Sequence, residues 1–422
     1  MAVSEPSTGA RAPGAAPSGA GFWPVLLCWV AVALDGFDLV VLGAVIPTLS
    51  ATGDLGFTDG SLTTASTLGL VGVGIGAVMI GPLTDRYGRR LSLIVCIASF
   101  SVLTLAIPLA TNVWQFTALR FLAGLGLGAC LPTALAYMSE HAKPGRGGSQ
   151  VTRMMTGYHV GAVLTALLAL ALIDPLGWEA MFVVGGLAGL VTVPLLVWKL
   201  PESATYLAAR EAREKDPTVP VVRSSEVVRG RYLPVSIGLW VASFMGLLLV
   251  YGLNTWLPKI MGEAGYSIQA GTGLLLILNV GAVIGLLVAG VVSDARGNKP
   301  VVLAWFGLAA VFLALLSIRL ESSLLVYGAV LLTGVFVFSA QVLVYAFVGH
   351  LYPPEIRGTA LGMAAGVGRA GAIVGPSLGG VLVTAGIAYP WGFYAFAAAA
   401  VIAVGALTVV PAHLRDEAPA TA

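Results

Sequence analysis

Long apolar runs separated by short polar loops fill almost the whole chain. Twelve of these runs hold enough apolar residues, roughly 20, to cross the hydrocarbon core of a bilayer as a helix. The predicted spans cover residues 22–48, 60–83, 91–110, 114–137, 151–172, 178–199, 232–257, 270–293, 300–318, 322–348, 357–385 and 389–411. The pattern therefore predicts an all-α membrane protein with twelve transmembrane helices.

The amino-acid composition supports the same class. Of 422 residues, 58% are hydrophobic and only 10% are charged, whereas soluble domains carry about 25% charged residues. Because so few charges cannot cover a water-soluble globule, we expect a lipid bilayer around the chain. The basic residues do not gather on one soluble face, so we expect no nucleic-acid partner.

The positions of lysine and arginine predict the orientation of the chain. With the N-terminus in the cytoplasm, the inner loops carry most of the basic residues, including Arg86, Arg89 and Arg90, whereas the outer loops carry Lys259 and Arg319. This asymmetry follows the positive-inside rule, so we expect a plasma-membrane protein with both termini cytoplasmic. The predicted domains are a disordered cytoplasmic tail (1–21), a six-helix half (22–199), a cytoplasmic linker (200–231), a second six-helix half (232–411) and a cytoplasmic tail (412–422).

The two halves of the chain carry a repeated loop. The segment GPLTDRYGRR (81–90) follows the second span and GVVSDARGNK (290–299) follows the eighth, and both read G-x-x-x-D-x-x-G-x-[RK]. Two six-helix halves around a shared axis form a transporter architecture, with the binding site near the midplane between them. Asn298 replaces a basic residue in the second copy, so we expect a weaker contact there.

These motifs resemble those of a known family. GPLTDRYGRR (81–90) resembles the loop signature of the major facilitator superfamily, RFLAGLGLGA (120–129) its fourth-helix motif and LPES (200–203) the motif at the end of its sixth helix. Within the superfamily, LDGFDLVVLG (34–43) and the segment 352–380 are similar to the aromatic acid:proton symporters. The resemblance implies the major facilitator fold.

The resemblance also implies a function. It implies a symporter that imports benzoate, a hydroxybenzoate or a related ring carboxylate with protons by alternating access, and we expect a monomer. Another cargo on the same fold, such as a sugar, another organic acid or an effluxed drug, stays open, as does a non-transporting membrane sensor. Neither the aromatic acid nor the proton ratio follows from the sequence. One proton per monoanion moves no net charge, and a second is needed for the membrane potential to assist uptake.

Two aspartates lie inside the first span. Asp35 and Asp38 are three residues apart and share one face of the helix, where an ionised carboxylate costs at least about 2.5–3.5 kcal/mol. Since two adjacent carboxylates resist double ionisation, we predict that one or both carry the coupling proton; the alternative is that they are structural acids bonded to neighbouring helices. Arg120 in the fourth span is the expected partner of one of them, and we predict that it takes part in proton coupling by tuning the pKa of that acid; the alternative is that it extends to the outer interface.

Arg369 lies near the middle of the eleventh span, with no acid on its own span. An arginine fork matches a carboxylate through two parallel hydrogen bonds, so we predict that Arg369 binds the cargo carboxylate rather than an acid of the first half. His159 is open between cargo contact and a satisfied interhelical histidine. Four more side chains are candidates for the cavity wall, with ordinary packing as the alternative for each: Tyr251, Asn254, Gln341 and Tyr345.

Charged residues at the inner ends of the spans predict a gate. Asp85 and Asp294 follow the second and eighth spans, and each can contact a neighbouring helix N-terminus, where the helix dipole favours negative charge. We predict contacts that form in one transport state and break in the other; the alternative is that these residues are topology signals in solvated loops. The predicted gate residues are Asp85, Arg86, Arg89, Arg90, Glu140, Arg146, Asp294, Glu355 and Arg357.

Motifs of catalysis are missing from the sequence. It contains no GxxxxGK[ST] phosphate-binding loop, no spacing typical of a metal site and no nucleophile–base pair. The glycine-rich segment GVGRAG (366–371) lies in a predicted span and lacks the βαβ context of a dinucleotide site. We therefore expect no enzymatic activity, no cofactor and no metal.

Overall fold

The structure is a computed structural model that describes residues 21–57, 59–142, 145–215, 224–266, 268–319 and 322–414. Three predicted segments lie wholly or partly outside these residues. They are the N-terminal tail apart from Gly21, residues 216–223 of the linker and residues 415–422 of the C-terminal tail.

Within the described residues the chain forms thirteen α-helices. Their bounds are α1 Phe22–Thr52, α2 Asp59–Tyr87, α3 Arg89–Ala106, α4 Val113–His141, α5 Gly147–Leu176, α6 Glu179–Lys199, α7 Ala204–Lys215, α8 Tyr232–Glu263, α9 Ile268–Arg296, α10 Asn298–Leu316, α11 Ser323–Leu351, α12 Pro354–Thr384 and α13 Ala388–Thr408. All except α7 contain a segment long and apolar enough to cross a membrane, which makes 12 spans. The predicted fold class is confirmed.

Local sequence explains where several helices begin and end. Asn112 precedes α4, and its side-chain oxygen accepts a hydrogen bond of 3.0 Å from the amide of Gln115. This satisfies one of the amides that a helix N-terminus leaves free. Gly53 follows α1 with φ of 67°, a left-handed conformation that glycine adopts without steric cost.

The linker contains one α-helix, α7 (Ala204–Lys215), among its described residues. In α7, Arg210 pairs with Glu214 at 2.9 Å and Lys215 with Glu211 at 2.5 Å, and all four side chains are exposed. Pairs four residues apart stabilise an exposed helix by about 0.2–0.5 kcal/mol each. Tyr206 connects α7 to the bundle by donating a hydrogen bond of 2.9 Å to a carbonyl at the end of α2.

Glycines bring helices into direct backbone contact. A β-carbon built on Gly128 would lie 1.9 Å from the carbonyl oxygen of Val73, and one on Gly76 would lie 2.0 Å from that of Leu125. No side chain fits there, so α2 and α4 pack backbone to backbone, as small residues allow in membranes. Across the halves, α2 meets α12 at Gly81, whose β-carbon would lie 2.5 Å from the backbone of α12.

The two halves meet along two helix pairs. α2 of the first half packs against α12 of the second, and α5 packs against α9. Among the spans, α4 and α11 are the most enclosed by protein, whereas α5 is the least enclosed. Four connections share one end of the bundle: the loops α2–α3, α4–α5 and α9–α10 and the linker. We term it the basic end after its arginines and lysines.

Candidate functional site

A cavity of about 60 Å³ lies between the two halves. Six residues predicted for proton coupling or cargo binding line it: Asp35, His159, Tyr251, Gln341, Tyr345 and Arg369. The remaining lining residues are Leu131, Met155, Tyr158, Leu247, Val250, Leu286, Phe338 and Val342. A mostly apolar wall with a few polar groups is typical of a small-molecule site.

Asp35 is buried in the cavity wall without a hydrogen-bond partner. Its exposed fraction is 0%, and within the described residues neither carboxylate oxygen accepts a hydrogen bond. Arg369 is its ion-pair partner, with Nη2 3.9 Å from Oδ2 of Asp35, while Nη1 donates to the hydroxyl of Tyr251 at 2.8 Å. The long ion pair leaves both charged groups open to further partners.

The position of Arg369 differs from the sequence-based expectation in one respect. We predicted that its carboxylate partner is the cargo rather than an acid of the first half. In the structure a first-half acid, Asp35, lies beside it, because α1 and α12 both border the cavity. Any cargo carboxylate at Arg369 therefore lies close to Asp35.

Asp38, unlike Asp35, accepts hydrogen bonds from neighbouring helices. Nη1 of Arg120 lies 2.9 Å from Oδ2 of Asp38, and Nη2 donates to the backbone carbonyl of the same residue at 3.2 Å. The hydroxyl of Thr104 donates to the other carboxylate oxygen at 3.4 Å. Both charged side chains are buried. Asp38 is therefore a hydrogen-bonded acid away from the cavity wall, whereas Asp35 lies in the cavity wall and accepts no hydrogen bond within the described residues.

Tyr158 is a cavity residue that our prediction of site residues left out. Its hydroxyl lies 3.4 Å from that of Tyr251, so it extends the hydrogen-bonded group that starts at Arg369. The sequence contains a signal for it in a second echo between the halves, PGRGG (144–148) against EIRGT (355–359). Its spacing of 211 residues places Tyr158 opposite Arg369. A tyrosine opposite a buried arginine in the repeat was sufficient to make it a candidate.

Of the two candidates His159 and Asn254, His159 lines the cavity and Asn254 does not. The ring of His159 lines the cavity with its centroid 5.8 Å from that of Phe338. Asn254 does not line the cavity: it donates to the carbonyl of Val250 at 2.9 Å and accepts from Asn279 at 3.2 Å. The expectation that Asn254 borders the cavity is therefore wrong in this structure, because its amide is directed to α9 instead.

Gln341 and Tyr345 lie one turn apart on α11 and are both buried in the cavity wall. Nε2 of Gln341 donates to the hydroxyl of Ser243 on α8 at 3.2 Å. Among the described residues, the cavity wall thus contains one guanidinium, one carboxylate, one side-chain amide, one imidazole and three tyrosine hydroxyls.

Asp85 joins the two halves at the basic end. Its carboxylate accepts hydrogen bonds from the amides of Gly358 and Thr359 at 3.1 and 2.8 Å and from the hydroxyl of Thr359 at 2.7 Å. Arg89 lies 3.3 Å from the same carboxylate. All four residues are buried, so the end of α2 is held against the first turns of α12.

Arg89 and Glu140 form the centre of the same cluster. The guanidinium of Arg89 donates to Glu140 at 2.8 and 3.0 Å and to the carbonyl of Pro354 at 2.5 Å. Arg357 of α12 lies 3.8 Å from Glu140. The cluster therefore joins charged side chains of both halves and a backbone carbonyl of the second half, as the gate prediction requires.

Glu202, in the LPES motif, contacts this cluster through the backbone of Arg89 and Arg90. It accepts hydrogen bonds from the backbone amides of Arg89 and Arg90 at 2.9 and 3.2 Å. The guanidinium of Arg90 donates to the carbonyl of Val197 at 2.6 Å. These bonds fix the first turn of α3 to the end of α6.

The second copy of the repeated loop makes an equivalent contact. Asp294, at the end of α9, accepts hydrogen bonds from the amides of Gly148 and Ser149 at 2.8 and 3.2 Å, in the first turn of α5. Asn298, which replaces a basic residue, bonds to the neighbouring Ser293 instead. This contact joins α9 to α5, so both helix pairs between the halves are pinned at the basic end.

Three predicted gate residues lie at the margin of these contacts. Arg86 is exposed, with its guanidinium 5.3 Å from the ring centroid of Tyr87. Arg146 is exposed immediately before α5. Glu355 shares a cleft with Arg86 on the surface of the basic end. Their positions give less support to a gating role than those of Asp85, Arg89 and Glu140.

Known proteins resemble this chain over nearly its full length. The Major Facilitator Superfamily matches residues 28–285 and 273–422. A gallate transporter of Pseudomonas putida is 34% identical over 92% of this chain and 92% of its own. A gentisate transporter of Corynebacterium glutamicum is 35% identical over 93% of this chain and 88% of its own.

Solved structures show the same fold. The proton:xylose symporter XylE bound to 6-bromo-6-deoxy-D-glucose matches with a TM-score of 0.75. The match covers 92% of this chain and 96% of that chain at 18% sequence identity. This identity is low, so the likeness is one of fold alone.

Proposed function

Because the chain belongs to the Major Facilitator Superfamily, we propose that it imports an aromatic carboxylate such as benzoate or a hydroxybenzoate, together with protons, by alternating access. The chain is a multi-pass membrane transporter and not an enzyme. Two relatives are named for ring carboxylates, gallate and gentisate. The observation that carries the proposal is the central cavity in which the guanidinium of Arg369 lies beside the unbonded carboxylate of Asp35.

Arg369 provides the site for the cargo carboxylate. Its guanidinium is buried and engages Asp35 only at 3.9 Å, so hydrogen-bonding capacity remains for an incoming anion. The apolar wall around it suits an aromatic ring. A cavity of about 60 Å³ holds only a few water molecules, so the halves must separate to admit the cargo.

Asp35 carries the coupling proton. An ionised carboxylate without hydrogen bonds in a buried site is costly unless a cation compensates it. Arg369 supplies that compensation, and a cargo carboxylate competes for the same guanidinium. When the cargo binds, Asp35 loses part of its compensation and takes up a proton. Binding of the anion and of the proton thus favour each other, which is the linkage that symport needs.

Asp38 and Arg120 are a structural pair in this proposal. Their contact of 2.9 Å and the two further hydrogen bonds to Asp38 satisfy the buried carboxylate, whereas Nε of Arg120 has no hydrogen-bond partner among the described residues. Removing one partner of such a pair typically costs about 3–5 kcal/mol, because the other charge stays buried alone. The pair therefore fixes α1 against α3 and α4, which holds Asp35 in the cavity wall.

A ratio of one proton to one monoanion follows from this division of roles. Among the described residues that line the cavity, Asp35 is the one carboxylate. One proton with one monoanion moves no net charge, so the pH gradient drives uptake and the membrane potential does not.

The cluster of Asp85, Arg89, Glu140 and Arg357, together with the contact of Asp294, forms the inner gate. These contacts join the halves at the basic end, which the positive-inside rule assigns to the cytoplasm. Both termini then lie in the cytoplasm and the protein in the plasma membrane. Release of cargo inside requires these contacts to break.

Asp85→Asn is expected to shift the protein toward the state that is open at the basic end. The change removes the charge that accepts three hydrogen bonds from α12, and hydrogen bonds to charged groups contribute about 1.5–3 kcal/mol. The ratio of the two states then changes about tenfold or more. Ser139 is half-buried near the end of α4 and faces Gly349 of α11 in the other half. Labelling of a Ser139→Cys probe by an impermeant thiol reagent therefore measures the opening, since the native cysteines Cys28, Cys96 and Cys130 are buried.

The matched control for this gate is Asp294→Asn. Asp294 accepts two hydrogen bonds from α5, and a smaller rise in labelling is expected because fewer contacts to the other half are lost. Equal labelling of the Asp85→Asn variant and the wild type would remove Asp85 from the gate.

The proposed function is tested in liposomes containing the purified protein. With the outside acidic, labelled 4-hydroxybenzoate is expected to accumulate inside, whereas labelled xylose is not. A potassium diffusion potential across the same liposomes is expected to leave the final accumulation unchanged. Accumulation of xylose, or uptake of no ring carboxylate at all, contradicts the proposal.

A further inference from the structure

Gln341 presents a buried acceptor atom that has no donor. The residue is 3% exposed and lines the central cavity. Its Oε1 is buried and accepts no hydrogen bond within the described residues. A buried acceptor left unpaired is costly, so this atom is a place where a ligand with a donor binds more favourably than one without.

The orientation of the amide follows from its neighbours. The hydroxyl of Ser243 donates to the backbone carbonyl of Ala364 at 2.7 Å, which uses its one proton. That hydroxyl is then an acceptor for Gln341, and Nε2 donates to it at 3.2 Å. In this orientation Oε1 is the amide atom left without a donor.

Gly246 provides the space for this atom. A β-carbon on Gly246 would lie 2.0 Å from Oε1 of Gln341, so a larger residue there would require the amide of Gln341 to move. The amide is therefore held between α8 and α11, with its nitrogen anchored. The same face of α11 carries Phe338 and Tyr345, three and four residues away, and both also line the cavity.

We propose that Gln341 accepts a hydrogen bond from a ring hydroxyl of the cargo, so that the protein selects hydroxylated aromatic acids over benzoate. This inference depends on the proposed function, because it assumes that a ring carboxylate binds Arg369. A phenolic hydroxyl supplies the donor that Oε1 lacks, and benzoate has no such group. Sites built to hydrogen-bond a cargo hydroxyl discriminate strongly against the analogue without it, since the polar group of the site stays unpaired.

The experiment compares uptake of labelled benzoate, 3-hydroxybenzoate and 4-hydroxybenzoate by the wild type and by Gln341→Met in liposomes. Methionine has a similar length but lacks the strong acceptor. The wild type is expected to prefer at least one hydroxybenzoate by about tenfold or more. In the variant this ratio is expected to fall toward one. The amount of folded variant is measured separately, by size-exclusion chromatography of the purified protein.

A second variant keeps the proposal testable if Gln341→Met yields no active protein. Ser243→Ala removes the anchor of Nε2, so the amide can rotate, and the preference for the hydroxybenzoate is expected to fall about threefold or more. An unchanged ratio in the active variants, or equal uptake of benzoate and both hydroxybenzoates by the wild type, overturns the inference. Uptake of none of the three acids by the wild type instead refutes the proposed function.

Discussion

Asp35→Asn is expected to abolish the accumulation of cargo that a pH gradient drives, while exchange of internal for external cargo continues. Asparagine has nearly the shape of a protonated aspartate but takes up no proton at neutral pH. Asp35 is buried, and its oxygens accept no hydrogen bond within the described residues, so the substitution leaves no hydrogen-bond donor unpaired. Arg369 loses an ion pair of 3.9 Å but keeps its hydrogen bond to Tyr251. The loaded carrier can still rock between its two states, but cargo movement is no longer linked to a proton.

Two measurements on the same liposomes separate these steps. Accumulation under an acidic exterior is expected to fall to the level of passive equilibration, and counterflow of labelled cargo is expected to stay within about threefold of wild type. Asp35→Glu retains a titratable group and is expected to keep some accumulation. Full accumulation by Asp35→Asn would move proton coupling to another residue.

Asp38→Asn is the control at the neighbouring acid and is expected to behave differently. It leaves Arg120 buried without its carboxylate partner, so the main effect is less folded protein in the membrane. The double variant Asp38→Asn with Arg120→Gln removes both charges and is expected to recover folded protein and some accumulation. If Asp38→Asn is instead well folded and loses accumulation selectively, both acids of α1 handle protons.

The spans themselves were predictable because a membrane helix is a local property of the sequence. Each needs roughly 20 consecutive apolar residues, and every predicted run corresponds to a helix in the structure. The linker helix was predictable for a similar local reason, since its charged residues lie four apart. The 209-residue spacing of the repeated loop located both contacts at the basic end, because Asp85 and Asp294 occupy the same position in the two copies.

The different surroundings of Asp35 and Asp38 were not predictable, because they depend on the direction of each side chain around the helix axis. Residues three apart on a helix differ by about 60° around the axis. For Asp35 and Asp38 this angle separates a cavity wall from a contact with α4. Tyr251 and Asn254 are also three apart, and only Tyr251 borders the cavity. Spacing gives the depth of a side chain in the membrane, but packing against other helices determines which neighbour it contacts.

The same reasoning explains why the neighbour of Arg369 was misjudged. No acid lies on its own helix at a matching depth, so the sequence leaves a buried cation without an evident partner. The acid comes from α1 in the other half, more than 300 residues earlier in the chain. Contacts between halves depend on how the halves dock, which no local pattern encodes.

Arg369→Lys is expected to raise the cargo concentration needed for half-maximal uptake about tenfold or more. The guanidinium already donates to Tyr251 through Nη1 and lies 3.9 Å from Asp35 through Nη2. A planar fork can keep such contacts and still bind a carboxylate, whereas a lysine ammonium is a single point charge that cannot meet this geometry. Hydrogen bonds to charged groups contribute about 1.5–3 kcal/mol each, which converts to about a tenfold or larger loss of affinity.

The concentration dependence of counterflow in liposomes provides the measurement, with the amount of folded protein determined in parallel. Tyr251→Phe is the matched control, because it removes one hydroxyl beside Arg369 and keeps the charge, and a smaller rise is expected. If Arg369→Lys is well folded and its half-saturating concentration is unchanged, Arg369 compensates the charge of Asp35 without touching the cargo. The cargo carboxylate must then bind elsewhere in the cavity, and competition between cargo and Asp35 for one guanidinium no longer explains proton coupling.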